Sequence, residues 1–149
     1  MTKKNTKIFI AADHRGVGLK LYLLEMLAAA GYNVENLGTD DPITLDDFPD
    51  VAAKLADCML GAPADTRGIL ICGTGAGIMI AANRYRHIRA SRVYTPDQAR
   101  DDRFHDDINV ITLSADEIDL EMAMLTTLAF LESPFDAIPR RIRRLKAIS

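Results

Sequence analysis

Cys72-Gly73-Thr74-Gly75-Ala76-Gly77 places a thiol, a hydroxyl and three glycines within six residues. Glycines at this spacing let backbone N–H groups converge without obstruction from side chains. A helix starting directly afterwards adds its own unpaired N–H groups and the positive end of its dipole. Together these form an anion site. A thiol at the lip of such a site becomes a usable base or nucleophile near neutral pH. The same residues also suit a small buried cysteine beside a tightly packed turn.

Other groups with chemistry are scattered. Asp13-His14 offers an acceptor beside a switchable donor, and Asp13 equally suits a helix N-cap. His105 lies in Phe104-His105-Asp106-Asp107, read as a loop, where a histidine alone is ordinarily just solvated. His87 stands in an Arg-rich stretch and is assigned to the surface. Arg140 and Arg144 are four apart and share a helix face. Paired guanidinium groups on one face suit a phosphate, although a basic run also suits a solvated helix. No C-x-x-C occurs, and the three histidines are too dispersed for a zinc site, so no metal is expected. The turn Asp13-His14-Arg15-Gly16-Val17-Gly18 lacks the dinucleotide fingerprint, and Ile78 stands where the last glycine of that pattern would fall. A nicotinamide dehydrogenase is therefore not expected. A thiol redox role would need a resolving partner for Cys72, and Cys58 sits in a predicted helix out of reach.

Alternating strands and helices must position these groups. Apolar runs predict strands at Lys7–Ala12, Tyr32–Leu37, Gly68–Cys72, Ile88–Val93 and Asn109–Leu113. Helical spacing predicts Val17–Ala30, Val51–Leu60, Ile78–Tyr85, Pro96–Phe104, Ala115–Glu132 and Pro139–Ile148. Gly38–Asp50, rich in Asp and Pro, reads as a loop. Five β-α repeats imply a Rossmann-like three-layer α/β sandwich, with a five-stranded parallel sheet and a basic C-terminal helix. Residues 1–149 read as one domain. Ligands in such folds bind beyond the carboxyl ends of the strands, where Asp13-His14 and Cys72–Gly77 fall.

Composition narrows the class. The chain has 149 residues, 48% hydrophobic and 26% charged. That is globular rather than disordered, collagen-like or disulfide-stapled. It carries 18 basic and 21 acidic residues, a net charge of −3. Five of the basic residues lie between Arg140 and Lys146, leaving 13 basic against 21 acidic elsewhere, a balance of −8. An acidic body with a cationic tail suits an anionic small molecule better than nucleic acid. The opening MTKKNTK runs directly into a strand-like segment, so it is not expected to be a signal peptide. No apolar run reaches the ~20 residues of a membrane span. A cytoplasmic location without nucleic acid or membrane as partner is the expectation.

Several segments resemble the type B ribose-5-phosphate isomerase family, which includes the galactose-6-phosphate isomerase subunits. The carriers are Ala12-Asp13-His14, Ile71 to Gly77 running into Ile80-Ala81-Ala82-Asn83, Ile88-Arg89-Ala90, and His105 to Val110. The resemblance implies an aldose–ketose isomerase working through a cis-enediolate without metal or cofactor. It implies Cys72 as the base moving a proton between C1 and C2, with Thr74 assisting at the sugar oxygens. Backbone N–H groups from Gly73, Gly75, Ala76 and Gly77 would hold the enediolate oxygen, as an oxyanion hole does. His105, with Asp13, would open the furanose ring. His14, Arg140 and Arg144 match positions that receive phosphate. The site would be shared between subunits of a homodimer or dimer of dimers.

Three positions depart from the family pattern. Asp106 stands where an Asn is usual, and Asp47-Phe48-Pro49 has Phe where a Tyr is usual. Asp116 occupies, by ungapped count, the place of an Arg that helps hold phosphate. A carboxylate there would repel a dianion, unless Asp116 simply caps the helix expected to begin there. A shifted substrate is thus open: a four- to six-carbon sugar phosphate or a sugar lacking phosphate. So is a non-catalytic protein that only binds a sugar phosphate.

Overall fold

The computed structural model describes residues 3–149; Met1 and Thr2, at the start of the basic N-terminal stretch, lie outside the described residues. The strands are β1 (Lys7–Ala12), β2 (Asn33–Asn36), β3 (Arg67–Cys72), β4 (Ala90–Arg92) and β5 (Val110–Ser114). They form one sheet in the order β2-β1-β3-β5-β4, with every neighbouring pair parallel. The helices are α1 (Val17–Ala29), α2 (Phe48–Met59), α3 (Ala76–Ala82), α4 (Pro96–Asp106), α5 (Leu120–Glu132) and α6 (Pro139–Ile148). This is the expected Rossmann-like α/β sandwich.

Side chains alternate across a strand, so β3 feeds two cores. Ile69 and Ile71 join Leu23, Leu27 and Phe130 of α1 and α5 on one face. Leu70 and Cys72 join Leu55 of α2 and Ile78 of α3 on the other. Burial on both faces is why β3 reads as an unbroken apolar run.

Several boundaries differ from expectation. β4 is three residues rather than six, at the open edge of the sheet. There the Asn83 side chain bonds both the N–H and the carbonyl of Ala90 (2.8 and 2.9 Å), standing in for a neighbouring strand. β2 is likewise an edge strand, shorter than expected. α2 begins at Phe48, three residues early, because Pro49 in its first turn favours a helix start. α3 begins at Ala76 rather than Ile78 and stops at Ala82. α5 begins at Leu120 rather than Ala115, capped by Asp119, whose carboxylate accepts from the Met122 N–H. Asp116 therefore does not cap that helix. His105 and Asp106 lie in the last turn of α4, not in a loop. His87 is partly buried and bonds the Ala56 carbonyl through Nε2 at 2.8 Å, so it is not a free surface group.

Because all strands run one way, one edge of the sheet carries every carboxyl end. α4 returns to the opposite edge, just before β5 starts. A five-residue strand spans about 13 Å, which separates the two edges and decides what one chain can assemble.

Candidate active site

The loop after β3 is held by β5. Cys72 pairs with Ser114 in the sheet register. The Ala115 and Asp116 N–H groups donate to the Cys72 and Gly73 carbonyls (2.9 and 3.0 Å). Ser114 Oγ donates to the Gly73 carbonyl and Thr112 Oγ1 to the Gly75 carbonyl, both at 2.8 Å. Both hydroxyl residues are fully buried, so the loop is rigidly referenced to the sheet.

Each glycine of the loop has a separate reason. Gly75 has φ +75°, and a Cβ there would lie 3.1 Å from the Leu113 carbonyl carbon. A Cβ on Gly77 would fall 2.8 Å from the Phe48 Cζ, so the Phe48 ring, at the position where the resembled family usually has Tyr, packs on the loop. A Cβ on Gly73 would fall 2.2 Å from an Arg15 guanidinium nitrogen.

Cys72 is 4% exposed. Its Sγ accepts the Gly75 N–H at 3.1 Å, a contact that strengthens as negative charge develops on sulfur. Thr74 is exposed, and its Oγ1 accepts the Ala76 N–H at 3.3 Å. Two of the N–H groups expected to converge on a ligand are thus engaged by the reactive side chains of the loop itself.

The end of β1 lies beside this loop; the Asp13 N–H donates to the Ile71 carbonyl. Asp13 is buried and caps a short 3-10 turn, His14–Gly16, accepting from the Arg15 and Gly16 N–H groups (3.0 and 3.3 Å). His14 is paired not with Asp13 but with Asp46. The Asp46 carboxylate accepts the His14 N–H at 2.7 Å and faces its Nδ1 at 3.0 Å. The segment carrying Asp46 is moored by Lys20. This fully buried lysine donates to the Thr39 carbonyl at 2.6 Å and pairs with Asp40 at 2.9 Å.

Burial pushes the Asp13 carboxyl above its ordinary value, against the N–H groups of Arg15 and Gly16 and the nearby His14. A raised folded value means that the unfolded chain releases this proton first. The stability Asp13 lends is complete below about pH 4 and is lost as pH rises through the folded value. Asp13→Asn keeps a capping oxygen. It is expected to gain stability relative to the wild type as pH rises from about 4 towards neutrality, read by urea denaturation. A relative loss across that range would contradict the account.

The remaining expected site residues gather at the opposite edge. His105 is exposed at the end of α4, and its Nδ1 lies 2.6 Å from Arg141 Nη2. A guanidinium only donates, so Nδ1 accepts and the proton of the neutral ring sits on Nε2. Arg141 is held in turn by Asp136 and by the Phe104 ring, whose centroid lies 4.9 Å away. Below His105, Arg103 and Arg89 clamp Asp107 (2.6 and 3.1 Å), fixing the end of α4 to the start of β5. Asp106 and Arg144 line a cleft of about 560 Å³ with Arg86 and Arg89. Arg140 is exposed on α6.

Within one chain the structure therefore joins Cys72, Thr74, the loop glycines, Asp13 and His14. It separately joins His105 and Asp106 with the α6 arginines. It does not join the two sets. Sequence reasoning missed Asp46, Arg15 and Arg141, which reach their partners across 32, 101 and 36 residues of chain.

The family model described as Ribose/Galactose Isomerase matches residues 8–148. The chain belongs to that family. Among relatives of the ribose/galactose isomerase family, it is 39% identical over 132 residues to a probable ribose-5-phosphate isomerase B of Mycoplasma pneumoniae, covering 89% of this chain and 86% of that one. It is 36% identical to ribose-5-phosphate isomerase B of Escherichia coli, covering 96% and 94%. The Thermotoga maritima ribose 5-phosphate isomerase structure superposes with a TM-score of 0.91 at 40% identity, over 96% of this chain and 97% of that one. The Mycoplasma genitalium enzyme, solved with bound ribulose 5-phosphate, also gives 0.91 at 36% identity, over 96% and 93%.

Proposed function

We propose that this chain, a single domain over residues 1–149, interconverts ribose 5-phosphate and ribulose 5-phosphate by aldose–ketose isomerisation. The observation that carries the reading is Cys72 Sγ, buried at the end of β3 and accepting the Gly75 N–H inside the glycine loop. Relatives of matching length named for this activity support the substrate.

In this reading His105, with Asp13, opens the furanose ring, His105 donating its Nε2 proton. Cys72 takes the C2 proton of the open aldose. The resulting cis-enediolate places negative charge on oxygen, which loop N–H groups stabilise. Thr74 carries protons between the sugar oxygens, and the Cys72 thiol, exchanging its proton with solvent while the enediolate stands, protonates C1. His14, Arg140 and Arg144 bind the phosphate end, and Asp106 binds the sugar. No metal or cofactor takes part in these steps.

Cys72 and His105 lie at opposite edges of one sheet, so the reading requires a second copy to supply His105, Arg140 and Arg144. A homodimer, or a dimer of dimers, is the proposed working form. No helix among the described residues is long and apolar enough to cross a membrane, and a cytoplasmic enzyme acting on a small sugar phosphate is the proposed setting. A screen of four- to six-carbon aldoses, each with and without phosphate, tests the substrate. Ribose 5-phosphate is expected to give the highest kcat/KM. A higher value for any sugar lacking phosphate would overturn that choice.

A further inference from the structure

We propose that Arg15 is a specificity-determining residue that binds the phosphate end of the substrate, and that Asp116 aims it. The proposal rests on the isomerase reading above. Arg15 leaves the turn after β1, crosses the end of β3 and pairs with Asp116 beyond the end of β5. Its guanidinium lies on the α-carbon of Gly73, where even a methyl group would fall 2.2 Å from Nη1 and 2.3 Å from Cζ. With glycine at this position the guanidinium settles there without having to move aside. Asp116 is fixed on the same loop, its N–H donating to the Gly73 carbonyl at 3.0 Å. Arg15 therefore stands one residue from His14, directly over the segment that carries Cys72.

Charge explains what this arrangement does. An unpaired Asp116 at the mouth would repel a sugar phosphate. Arg15 cancels that charge, and its fork of five N–H donors is not exhausted by one carboxylate. Both side chains are about half exposed, at 51% and 41%, so the guanidinium is open to a ligand. An exposed pair of this kind adds little to folding stability, so replacing it is expected to change ligand binding rather than folding. The cation that holds the anionic end of the substrate from this edge comes from the turn after β1, with its carboxylate counterpart just beyond β5.

The test compares Arg15→Gln, Arg15→Lys, Asp116→Asn and the double variant Arg15→Gln/Asp116→Asn. Gln keeps much of the apolar stem, and thermal melting checks that each variant folds. Arg15→Gln is expected to raise the KM for ribose 5-phosphate about 10- to 100-fold, the loss of a charge-assisted hydrogen bond, while kcat falls far less. Arg15→Lys should recover part of that loss. The double variant should bind better than Arg15→Gln alone, because no carboxylate is left unpaired. Equal losses from Arg15→Gln and Asp116→Asn, with no recovery in the double variant, would mark a merely structural pair and overturn the proposal. So would a KM unchanged in Arg15→Gln. Calorimetric binding of ribose 5-phosphate to the wild type and Arg15→Gln separates the two readings. If the wild type binds without turnover, the isomerase reading fails while the affinity difference still decides the role of Arg15.

Discussion

Cys72→Ala is expected to lower kcat for ribose 5-phosphate isomerisation by about 10³-fold or more, the scale of a lost general base. The KM should change little, because the sulfur meets the reacting carbon atoms and not the phosphate. Stability should fall only slightly. Alanine fits the same buried position, and a single contact to the Gly75 N–H is removed. Thermal melting together with steady-state rates separates the effects. A folded Cys72→Ala variant with rates within tenfold of the wild type would remove cysteine from the mechanism.

The second large effect concerns the separation of the two residue sets. His105→Ala is expected to lower turnover of ribose 5-phosphate about 10²-fold or more, by removing the Nε2 donor that Arg141 orients. Cys72 and His105 are held at opposite edges of the same sheet, so each active site must draw them from different chains. Two inactive variants should therefore complement one another. When Cys72→Ala and His105→Ala chains are unfolded together and refolded, half of the dimers carry one of each. Each mixed dimer has one intact site and one doubly damaged site. Recovery to about a quarter of wild-type activity is the expected result for a two-fold assembly. Mixing without subunit exchange should recover nothing. Absence of recovery after full exchange would mean that a single chain supplies both groups, against the geometry described above.

The sequence reading succeeded where the signal was local. β3 and β5 read as strands because burial on both faces makes them continuously apolar. The Cys72–Gly77 loop was legible because glycine at φ +75° and close backbone approach leave few other choices. The open edge was less legible, since the Asn83 side chain replaces ladder partners of β4 that no periodicity records. The start of α5 was misread because the N–H groups of Ala115 and Asp116 are spent on the carbonyls of Cys72 and Gly73, which a helical pattern does not reveal.

The electrostatic partners were least legible of all. Asp13-His14 looked like a working pair, yet Asp13 caps its own turn and His14 turns to Asp46. Asp116 looked like a repulsive charge at the mouth, and it is neutralised by Arg15 from the other side of β3. Arg140 and Arg144 stood out by their spacing, while Arg141, between them, is the one that touches His105. In each case the deciding contact is made between distant segments brought together by the sheet order.

The central claim is that Cys72 moves a proton between C1 and C2 of a sugar phosphate. The measurement that reaches it most directly is nuclear magnetic resonance of ribose 5-phosphate incubated with the protein in deuterium oxide. The account predicts deuterium appearing at C1 of the ribulose 5-phosphate formed, with incorporation lost in Cys72→Ala. Binding of the sugar phosphate to the wild-type protein with neither ribulose 5-phosphate nor carbon-bound deuterium formed would contradict it, and would leave a protein that holds its ligand without isomerising it.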